Sequence, residues 1–501
     1  MTTFALDGID SRRVWVEADI RGGLPAFTVV GLADKAVREA RERVRAAIVN
    51  SGFEFPAKRI TVNLAPADLR KIGPGFDLPL ALAVLAAAGQ VDADAVRGCA
   101  VVGELSLSGA VRAVPGALAI AEGARRHELP RLMVPRSRAA EAALVGGVEV
   151  LGIDSLQQVV DVFCGRAEPP EPAAPESPAA AGGEPVDLAD VRGHNALIPA
   201  LEVVAAGGHN LFMHGPPGTG KTMLARRLPS ILPPLAASEA IDVTRIHSVA
   251  GLRGGGGLVA ARPFRAPHHT ISSAGLVGGG SHPTAGEATL AHHGVLFLDE
   301  LSEFARSSLE ALRQPLEDGH VTIVRGQRVM AFPTRFMLVA ASNPCPCGMG
   351  EESCRCTAAD LSRHARRLSG PLLDRIDVMM IVDRPSAGAL RDQVAPSSSA
   401  VRGRVTAARE RQARRLHQLG LTCNAHIPAR HLREAAAATP GAMRRLYELH
   451  DRHQLSARGH GRVLRVARTV ADLAGSDAVG VEHVSQAAAL RLEQPQAAAA
   501  A

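Results

Sequence analysis

Residues 215–222 have the spacing Gly-x-x-x-x-Gly-Lys-Thr, which is typical of a loop that binds phosphate. The apolar run Asn210–His214 before it predicts a buried strand, and Thr222–Leu228 after it predicts a helix. Glycines let backbone N–H groups point at phosphate oxygens, and the helix N-terminus adds a partial positive charge. We expect Lys221 to reach the outer phosphates of ATP and Thr222 to hold Mg²⁺. The residues expected to bind ATP are Gly215, Pro216, Pro217, Gly218, Thr219, Gly220, Lys221 and Thr222.

Two carboxylates, Asp299 and Glu300, directly follow the apolar run Val295–Leu298. A central parallel strand presents its last residues at the carboxyl edge of the sheet, where open α/β sheets bind ligands. We expect Asp299 to organise Mg²⁺ and Glu300 to polarise the attacking water. Such a pair is common at surface strand ends, but after a phosphate loop it indicates a nucleotide-hydrolysing site.

Four of the seven cysteines form the pattern C-x-C-x₆-C-x-C, at Cys345, Cys347, Cys354 and Cys356. This spacing allows four thiolates to close around one tetrahedral Zn²⁺, although C-x-C is less typical of zinc sites than C-x-x-C. Four protein ligands leave no open position on the metal, so the role would be structural. Disulfides are a poor alternative in a reducing compartment.

The length of 501 residues predicts roughly three domains. The sequence has no apolar run near the ~20 residues that a membrane span needs. The first residues lack a basic segment followed by an apolar core, so we expect a cytoplasmic protein that does not enter the membrane. Aromatic residues make up 3 % of the chain, which argues against base stacking as the main binding device.

A Pro/Ala/Glu-rich stretch, 168–185, lacks any hydrophobic period and marks the clearest boundary in the chain. Short β-like runs alternate with helical ones before it, and an Arg-rich helical pattern follows Pro396. The fold class is therefore α/β with a helical C-terminal part. The expected divisions are an α/β domain at 1–166, a disordered linker at 167–186, a nucleotide-binding core at 187–395, a helical lid at 396–493 and a tail at 494–501.

Positive charge is concentrated in residues 400–470, which hold fifteen arginines and only the acids Glu410, Glu434, Glu448 and Asp451. One interpretation is a solvated helical surface in an arginine-rich protein. The other is an electrostatic footprint for nucleic acid.

The whole chain, from about residue 4 to 490, resembles the ComM/YifB-type proteins, which are Mg-chelatase-like AAA+ ATPases associated with natural transformation. The motifs that carry the resemblance are GPPGTGKT, RAPHHTIS, GVLFLDEL, SNPCPCG and SGPLLDRID. It implies an AAA+ core at 187–395, a lid at 396–493, and a first domain similar to the proteolytic domain of Lon. The serine and lysine of that protease are missing around Gly73–Leu78 and Leu118, so we expect no acyl transfer. Asp77 and Lys71 are interpreted instead as a structural pair or a DNA contact.

The resemblance also assigns roles in catalysis. Asn343, after the strand Phe336–Ser342, would sense the γ-phosphate and position the water, although a polar residue before Pro344 also suits a plain turn. Arg375 would be an arginine finger reaching an adjacent subunit, which implies a hexameric ring; a salt bridge to Asp374 or Asp377 is the alternative. Arg462 matches the lid arginine that reads nucleotide state, with Arg458 and Arg465 as competing candidates.

Two segments are candidates for DNA contact. The resemblance places Arg262–Ile271 in an insertion that faces the central pore, where Phe264, Arg265, His268 and His269 would face phosphates; a metal site on the two histidines lacks a nearby third ligand. Val321–Met330 is similar to a pore hairpin of helicase relatives, with Arg325 and Arg328 as phosphate contacts, although it also suits an ordinary surface hairpin.

The resemblance thus implies a hexameric, ATP-driven motor that promotes branch migration on branched or single-stranded DNA, with ATP and Mg²⁺ as cofactors and structural Zn²⁺. The rival interpretation is a chelatase motor that serves insertion of Mg²⁺ into a porphyrin. It shares the ATP motifs but leaves the first domain, the cysteines and the basic lid unexplained. An ATP-dependent protease is excluded by the missing serine and lysine.

Overall fold

The computed structural model describes residues 1–176, 186–252, 256–280, 283–325, 328–349, 354–368, 370–392, 394–453 and 455–492. Residues 177–185, within the predicted linker, and the predicted tail lie outside these ranges. The chain divides into two compact units. The first holds the N-terminal part of the chain with Ala236–Ala260 and Val324–Met330, and the second holds the remainder.

The strands of both units, in chain order, are β1 Thr2–Asp7, β2 Asp10–Arg21, β3 Ala26–Val30, β4 Arg59–Ala65, β5 Cys99–Val101, β6 Glu104–Leu105, β7 Val111–Arg112, β8 Arg131–Pro135, β9 Glu149–Ile153, β10 Leu211–His214, β11 Phe264–Arg265, β12 Gly278–Gly279, β13 Thr284–Ala285, β14 Val295–Leu298, β15 His320–Arg325, β16 Arg328–Pro333, β17 Met337–Ser342 and β18 Val378–Ile381.

The α-helices are α1 Lys35–Asn50, α2 Asp77–Ala87, α3 Ala117–Arg126, α4 Arg136–Ala143, α5 Leu156–Phe163, α6 Ile198–Gly207, α7 Lys221–Ile231, α8 Ala237–Val249, α9 Ser273–Val277, α10 Glu287–Leu290, α11 Arg306–Ala311, α12 Arg313–Asp318, α13 Ala358–Arg367, α14 Gly370–Leu373, α15 Ala387–Asp392, α16 Ser398–Leu416, α17 Ala429–Ala436, α18 Pro440–His453, α19 Ala457–Leu473 and α20 Val481–Leu492.

The first unit contains a mixed sheet in the order β3-β4-β2-β1-β5-β8-β9, in which β2 runs antiparallel to both of its neighbours. Side chains along β8 alternate between two cores: Leu132 and Val134 face one, and Met133 faces the other. This period of two is what a strand buried on both faces requires. The sheet therefore carries helices on both of its faces.

A buried ion pair braces α2 in the first unit. Asp77 is fully buried and accepts hydrogen bonds from Arg43 Nε at 2.8 Å and Nη2 at 3.0 Å. Burial raises the pKa of Asp77, and the hydrogen bond from Arg43 opposes that rise. The ammonium group of Lys71 donates to the carbonyl of Pro66. Asp77 therefore has a structural partner in Arg43, a residue that the sequence interpretation did not consider.

The second unit is built on a parallel sheet in the order β11-β14-β17-β10-β18. Its central strands are almost wholly apolar and buried, as parallel strands covered on both faces are. The helices α16–α20 form the lid and share one apolar core with α6, α7 and the sheet. The mixed α/β class with a parallel sheet and a helical C-terminal region is confirmed.

None of the helices in the described ranges combines the length and the apolar character that crossing a lipid bilayer would require.

Candidate active site

Three loops of the second unit meet at the carboxyl edge of the five-stranded sheet. The phosphate loop follows β10, Asp299 and Glu300 follow β14, and Asn343 follows β17. Because neighbouring parallel strands end at the same edge, these groups line one cavity of about 410 Å³. The described structure therefore brings residues 217–222 of the phosphate loop together with Asp299, Glu300 and Asn343, as the sequence analysis expects for nucleotide chemistry.

The backbone of the phosphate loop needs glycine at two positions. Gly218 and Gly220 have φ angles of 76° and 92°, a region that other residues rarely adopt. Gly220 immediately precedes α7, so the loop delivers the chain directly into the helix N-terminus. This is the geometry in which backbone N–H groups and a helix dipole bind an anion.

Lys221 is held close to the loop that it serves. Its Nζ donates to the carbonyls of Gly215 and Pro216, both at 2.7 Å, and to Asn343 Oδ1 at 3.2 Å. Burial lowers the pKa of Lys221, while the charges of Asp299 and Glu300 act against that change. The ammonium group is thus positioned beside both carboxylates and ready to exchange carbonyl contacts for phosphate oxygens.

The groups expected to hold Mg²⁺ lie next to each other. Thr222 Oγ1 donates to Asp299 Oδ2 at 2.6 Å, and Asp299 Oδ1 accepts from the backbone N–H of Glu300 at 3.0 Å. A hydroxyl and a carboxylate are hard oxygen donors of the kind that Mg²⁺ prefers. The donor set therefore fits the ion. Glu300 has a left-handed φ of 50°, which turns the chain sharply at the end of β14.

Asn343 is fixed by a residue that sequence reasoning missed. His364, on α13, has its Nε2 3.0 Å from the carbonyl oxygen of Asn343. His214, the last residue of β10, has its pKa lowered to about 4 by burial, with further contributions from His364 and Lys221. No local motif marks His364, because α13 reaches the site only through tertiary packing, whereas His214 directly precedes the phosphate loop.

A second missed contact involves the residue expected to polarise water. His269 Nδ1 lies 3.6 Å from Glu300 Oε2, and its ring meets Phe304 edge-on at 6.4 Å. His268 instead pairs its Nδ1 with Thr270 Oγ1 at 2.9 Å. The adjacent histidines of the RAPHHTIS segment therefore have different contacts, and only that of His269 involves the ATP site in the part of the chain that is described.

The amino edge of the same sheet holds Arg375, the expected arginine finger, and Arg462, the arginine expected to read nucleotide state. Arg375 pairs with Glu317 on α12, and Arg462 Nη1 donates to Asp377 Oδ1 at 2.6 Å and to the Arg375 carbonyl at 3.0 Å. Arg375 thus has an ion-pair partner in Glu317, whereas the alternative drawn from the sequence named Asp374 or Asp377. Both arginines line a second cavity of about 410 Å³.

The competing lid arginines differ in their surroundings. Arg465 donates from Nε and Nη2 to the carbonyl of Ile427, at 2.9 and 2.7 Å, within the lid. Arg458 is 61 % exposed and lies 3.4 Å from Glu317. Arg458 therefore shares a carboxylate with Arg375, whereas Arg465 is tied to backbone.

Asp377 is the buried centre of the amino edge. It accepts from the backbone N–H of Asn210 at 3.0 Å, and His209 Nδ1 lies 3.7 Å from its Oδ2. Burial acts to raise the pKa of Asp377, but the nearby imidazole of His209 and the charge of Arg462 hold it below its usual value. His209 also contacts Thr469 on α19 at 2.8 Å, so this network joins the sheet to the lid.

The four cysteines of the C-x-C-x₆-C-x-C pattern come together. Their sulfurs all lie within 4.8 Å of one another, with Cys345 and Cys347 at 3.3 Å and Cys345 and Cys354 at 3.6 Å. A tetrahedral thiolate set around one ion requires this kind of clustering. The loop also touches the ATP site, because a Cβ on Gly348 would lie 2.9 Å from Pro217.

The residues assigned to DNA have mixed outcomes. β15 and β16 pair as a hairpin, but the side chains of Arg325 and Arg328 lie outside the described residues. Arg265 forms a bidentate pair with Glu287 at 2.6 and 2.8 Å, and Phe264 stacks on Phe297 inside the sheet. A role in DNA binding stays a prediction for all three arginines.

Family models match the chain in three stretches. Residues 187–390 match magnesium chelatase, subunit ChlI; residues 16–138 match subunit ChlI of Mg-chelatase; and residues 395–491 match the C-terminal part of that subunit. An uncharacterized protein of Mycobacterium tuberculosis is 45 % identical over 496 residues, covering 97 % of both chains. YifB of Escherichia coli is 43 % identical over 98 % of this chain and 96 % of its own length. Competence protein ComM of Haemophilus influenzae is 40 % identical, over 97 % and 95 %.

Proposed function

The chain belongs to the Mg-chelatase-like AAA+ ATPases of the ComM/YifB type, and we propose that it is a ring-forming motor that couples ATP hydrolysis to movement along DNA. The observation that carries the proposal is the division of the ATP chemistry between two edges of one sheet. Lys221, Asp299, Glu300 and Asn343 lie at the carboxyl edge, whereas Arg375 lies at the amino edge.

Hydrolysis is assigned to the carboxyl edge. The backbone of the phosphate loop and Lys221 bind the phosphates, Glu300 orients and deprotonates the attacking water, and Asn343 donates to the γ-phosphate or to that water. Thr222 and Asp299 would hold Mg²⁺, which neutralises charge on the β- and γ-phosphate oxygens when bound. Positioning and charge compensation together account for most catalysis of phosphoryl transfer.

The amino edge supports assembly into a ring. Along the four residues of β10 the two edges are roughly 13 Å apart, at about 3.3 Å per residue. Arg375 and Arg462 therefore serve a nucleotide held by another copy of the chain. An arrangement in which every copy gives its arginines to the next closes into a ring, and we propose a hexamer.

Two observations support DNA as the track along which the motor moves. One relative bears the name competence protein, and we propose that this chain promotes branch migration during recombination of incoming DNA. The β15–β16 hairpin carries Arg325 and Arg328 at the two sides of its turn, and we propose both as phosphate contacts. Phosphate-directed binding would make the motor insensitive to base sequence.

A labelled four-way junction tests the proposal. The expected result is hexamer formation, ATP turnover stimulated by DNA, and movement of the junction that stops in the Glu300→Gln variant. A verified hexamer that shows neither stimulation nor movement would overturn it. Stimulation by a porphyrin with Mg²⁺ instead of by DNA would favour the chelatase interpretation, which the family descriptions also allow.

We further propose that the cysteine cluster binds one structural Zn²⁺ per chain. Metal-binding energy is folding energy in small sites of this kind, so loss of a ligand should loosen the loop and, through Gly348 and Pro217, the phosphate loop. Cys345→Ser should release the metal and weaken ATP binding. Cys164→Ser is the control, since that cysteine lies outside the cluster. Elemental analysis that finds no zinc in protein prepared without chelator would contradict this assignment.

A further inference from the structure

Many of the arginine side chains of the lid already bind groups of the protein itself. Many of its arginines hold backbone carbonyls, or carboxylates that are at least partly buried, within the second unit; among them are Arg402, Arg404, Arg409, Arg411, Arg415, Arg462, Arg465, Arg468 and Arg491. The carboxylate of Asp472, for example, forms ion pairs with both Arg415 and Arg468. These side chains cannot bind DNA without losing their contacts, so the charge count of the lid overstates its capacity for phosphate.

A different part of the lid retains exposed, unengaged cations. A groove of about 580 Å³ lies between the end of α17 and the start of α18, and we call it the lid groove. It is lined by Arg433, Glu434, Ala437, Ala438, Pro440, Met443, Arg444 and Tyr447. Arg433 and Arg444 are both exposed, and in the described ranges neither makes a hydrogen bond or an ion pair.

Tyr447 gives the lid groove a flat aromatic wall. It is the only tyrosine of the chain and is 52 % exposed. Its ring stacks on His460 with centroids 5.4 Å apart and planes inclined by 30°, and His450 meets His460 edge-on at 5.7 Å. The inner face of Tyr447 is therefore backed by packed rings, while the side chain remains open to solvent at the groove.

We propose that the lid groove binds one nucleotide of single-stranded DNA, with the base stacked on Tyr447 and the flanking phosphates on Arg433 and Arg444. This rests on the proposed function as a DNA motor. Aromatic platforms beside cations are how proteins bind single strands without reading their sequence. The carboxylate of Glu434, in the same groove, can accept from the exocyclic amine of a base.

A single strand suits the lid groove better than a duplex does. Stacking on a side chain requires a base whose face is not already covered by its neighbours. The groove offers one platform and two cations, which corresponds to one nucleotide with its two phosphates. A site of this size adds to the contacts of a motor without requiring many aromatic residues, in accord with their scarcity in the chain.

The test is binding of a fluorescent thymidine oligonucleotide to the full-length chain. Tyr447→Ala should weaken binding at least about 5-fold, because stacking contributes about 1–3 kcal/mol per base. Tyr447→Phe should restore it. The double variant Arg433→Ala, Arg444→Ala should reduce the slope of log affinity against log salt by about 1.4, at about 0.7 per phosphate. Arg445→Ala is the matched control, since Arg445 pairs with Glu448 at 3.1 Å and does not line the groove.

An oligonucleotide carrying 5-iodouracil supplies a direct readout, with a crosslink to Tyr447 as the expected result. If the parent chain binds DNA but the variants bind equally well and Tyr447 does not crosslink, the lid groove proposal is wrong and the motor proposal stands. If the parent chain binds no DNA, both are wrong. Competition by a free mononucleotide at equal affinity would overturn the assignment to a DNA strand.

Discussion

The carboxyl and amino edges of the five-stranded sheet both collect polar side chains, but from different distances along the sequence. At the carboxyl edge the groups assigned to the nucleotide lie in or just after loops that follow strands, and they belong to short motifs, as Lys221 and Glu300 do. At the amino edge Asp377 gathers His209, Asn210 and Arg462, which come from separate elements of sheet and lid. Chemistry on the bound nucleotide is thus encoded locally, whereas communication with the lid depends on tertiary packing.

The largest expected effect is the loss of ATP turnover when Arg375, at the amino edge, is replaced. Arg375→Ala should reduce ATP turnover by about 10³–10⁵, because an arginine finger neutralises charge that develops in the transition state. Binding of ATP should remain, since Arg375 lies at the opposite edge from Lys221. Steady-state phosphate release and nucleotide titration measure the two properties.

Mixing experiments show whether Arg375 acts between subunits. Rings that combine Arg375→Ala with Lys221→Ala should recover part of the activity, because some interfaces then pair an intact finger with an intact phosphate loop. Failure to recover in verified mixed rings would mean that the pair with Glu317 is structural only.

At the carboxyl edge, Glu300→Gln should lower hydrolysis by about 10²–10⁴, the usual contribution of a positioned general base. The amide keeps the shape of the side chain but cannot take the proton of the water. Lys221→Ala should instead weaken ATP binding itself. Turnover at the parental rate in Glu300→Gln would show that another group activates the water.

A smaller effect concerns stability at the amino edge. Asp377→Asn should cost about 3–5 kcal/mol at pH 7, because it leaves Arg462 without its buried counter-charge. The pKa of Asp377 is depressed in the folded chain, so its contribution is present above the unfolded pKa of about 4 and is lost as pH falls through the folded pKa. The difference between the variant and the parent should therefore shrink below about pH 4.

Chemical denaturation at pH 7 and at successive values below pH 4 would check this dependence. Asp374→Asn is the control, since that carboxylate is 33 % exposed and lies 3.7 Å from Arg458. A penalty for Asp377→Asn that stayed constant down to pH 2 would contradict the assigned direction of the shift.

The two edges also explain what the sequence could and could not predict. The phosphate loop, Asp299, Glu300 and the clustering of four cysteines follow from spacing, because each contact lies within or next to a motif. The contacts of His364 with Asn343 and of His269 with Glu300 arise only through folding, so no spacing in the sequence predicts them.

The lid shows the same limit for charge. Arginine counting cannot distinguish Arg468, which is fully buried against Asp472, from Arg433, which is exposed. Composition reports how many cations a segment has, and only tertiary structure reports which of them already have partners. Of the arginines that the sequence offered as an electrostatic footprint for nucleic acid, only a few therefore remain available to bind phosphate.

The smallest expected effect concerns His269, which contacts Glu300 at the carboxyl edge although the two residues lie far apart in the sequence. Its Nδ1 is 3.6 Å from Glu300 Oε2, and both side chains are partly exposed, so the contact contributes at most about 1 kcal/mol. Glu300 cannot face His269 and the attacking water equally well. His269→Ala should therefore raise ATP turnover without DNA, by no more than about 5-fold. His268→Ala, whose parent side chain contacts Thr270, should leave turnover unchanged. A fall in turnover for His269→Ala would mean that the histidine supports the productive position of Glu300 rather than competing with it.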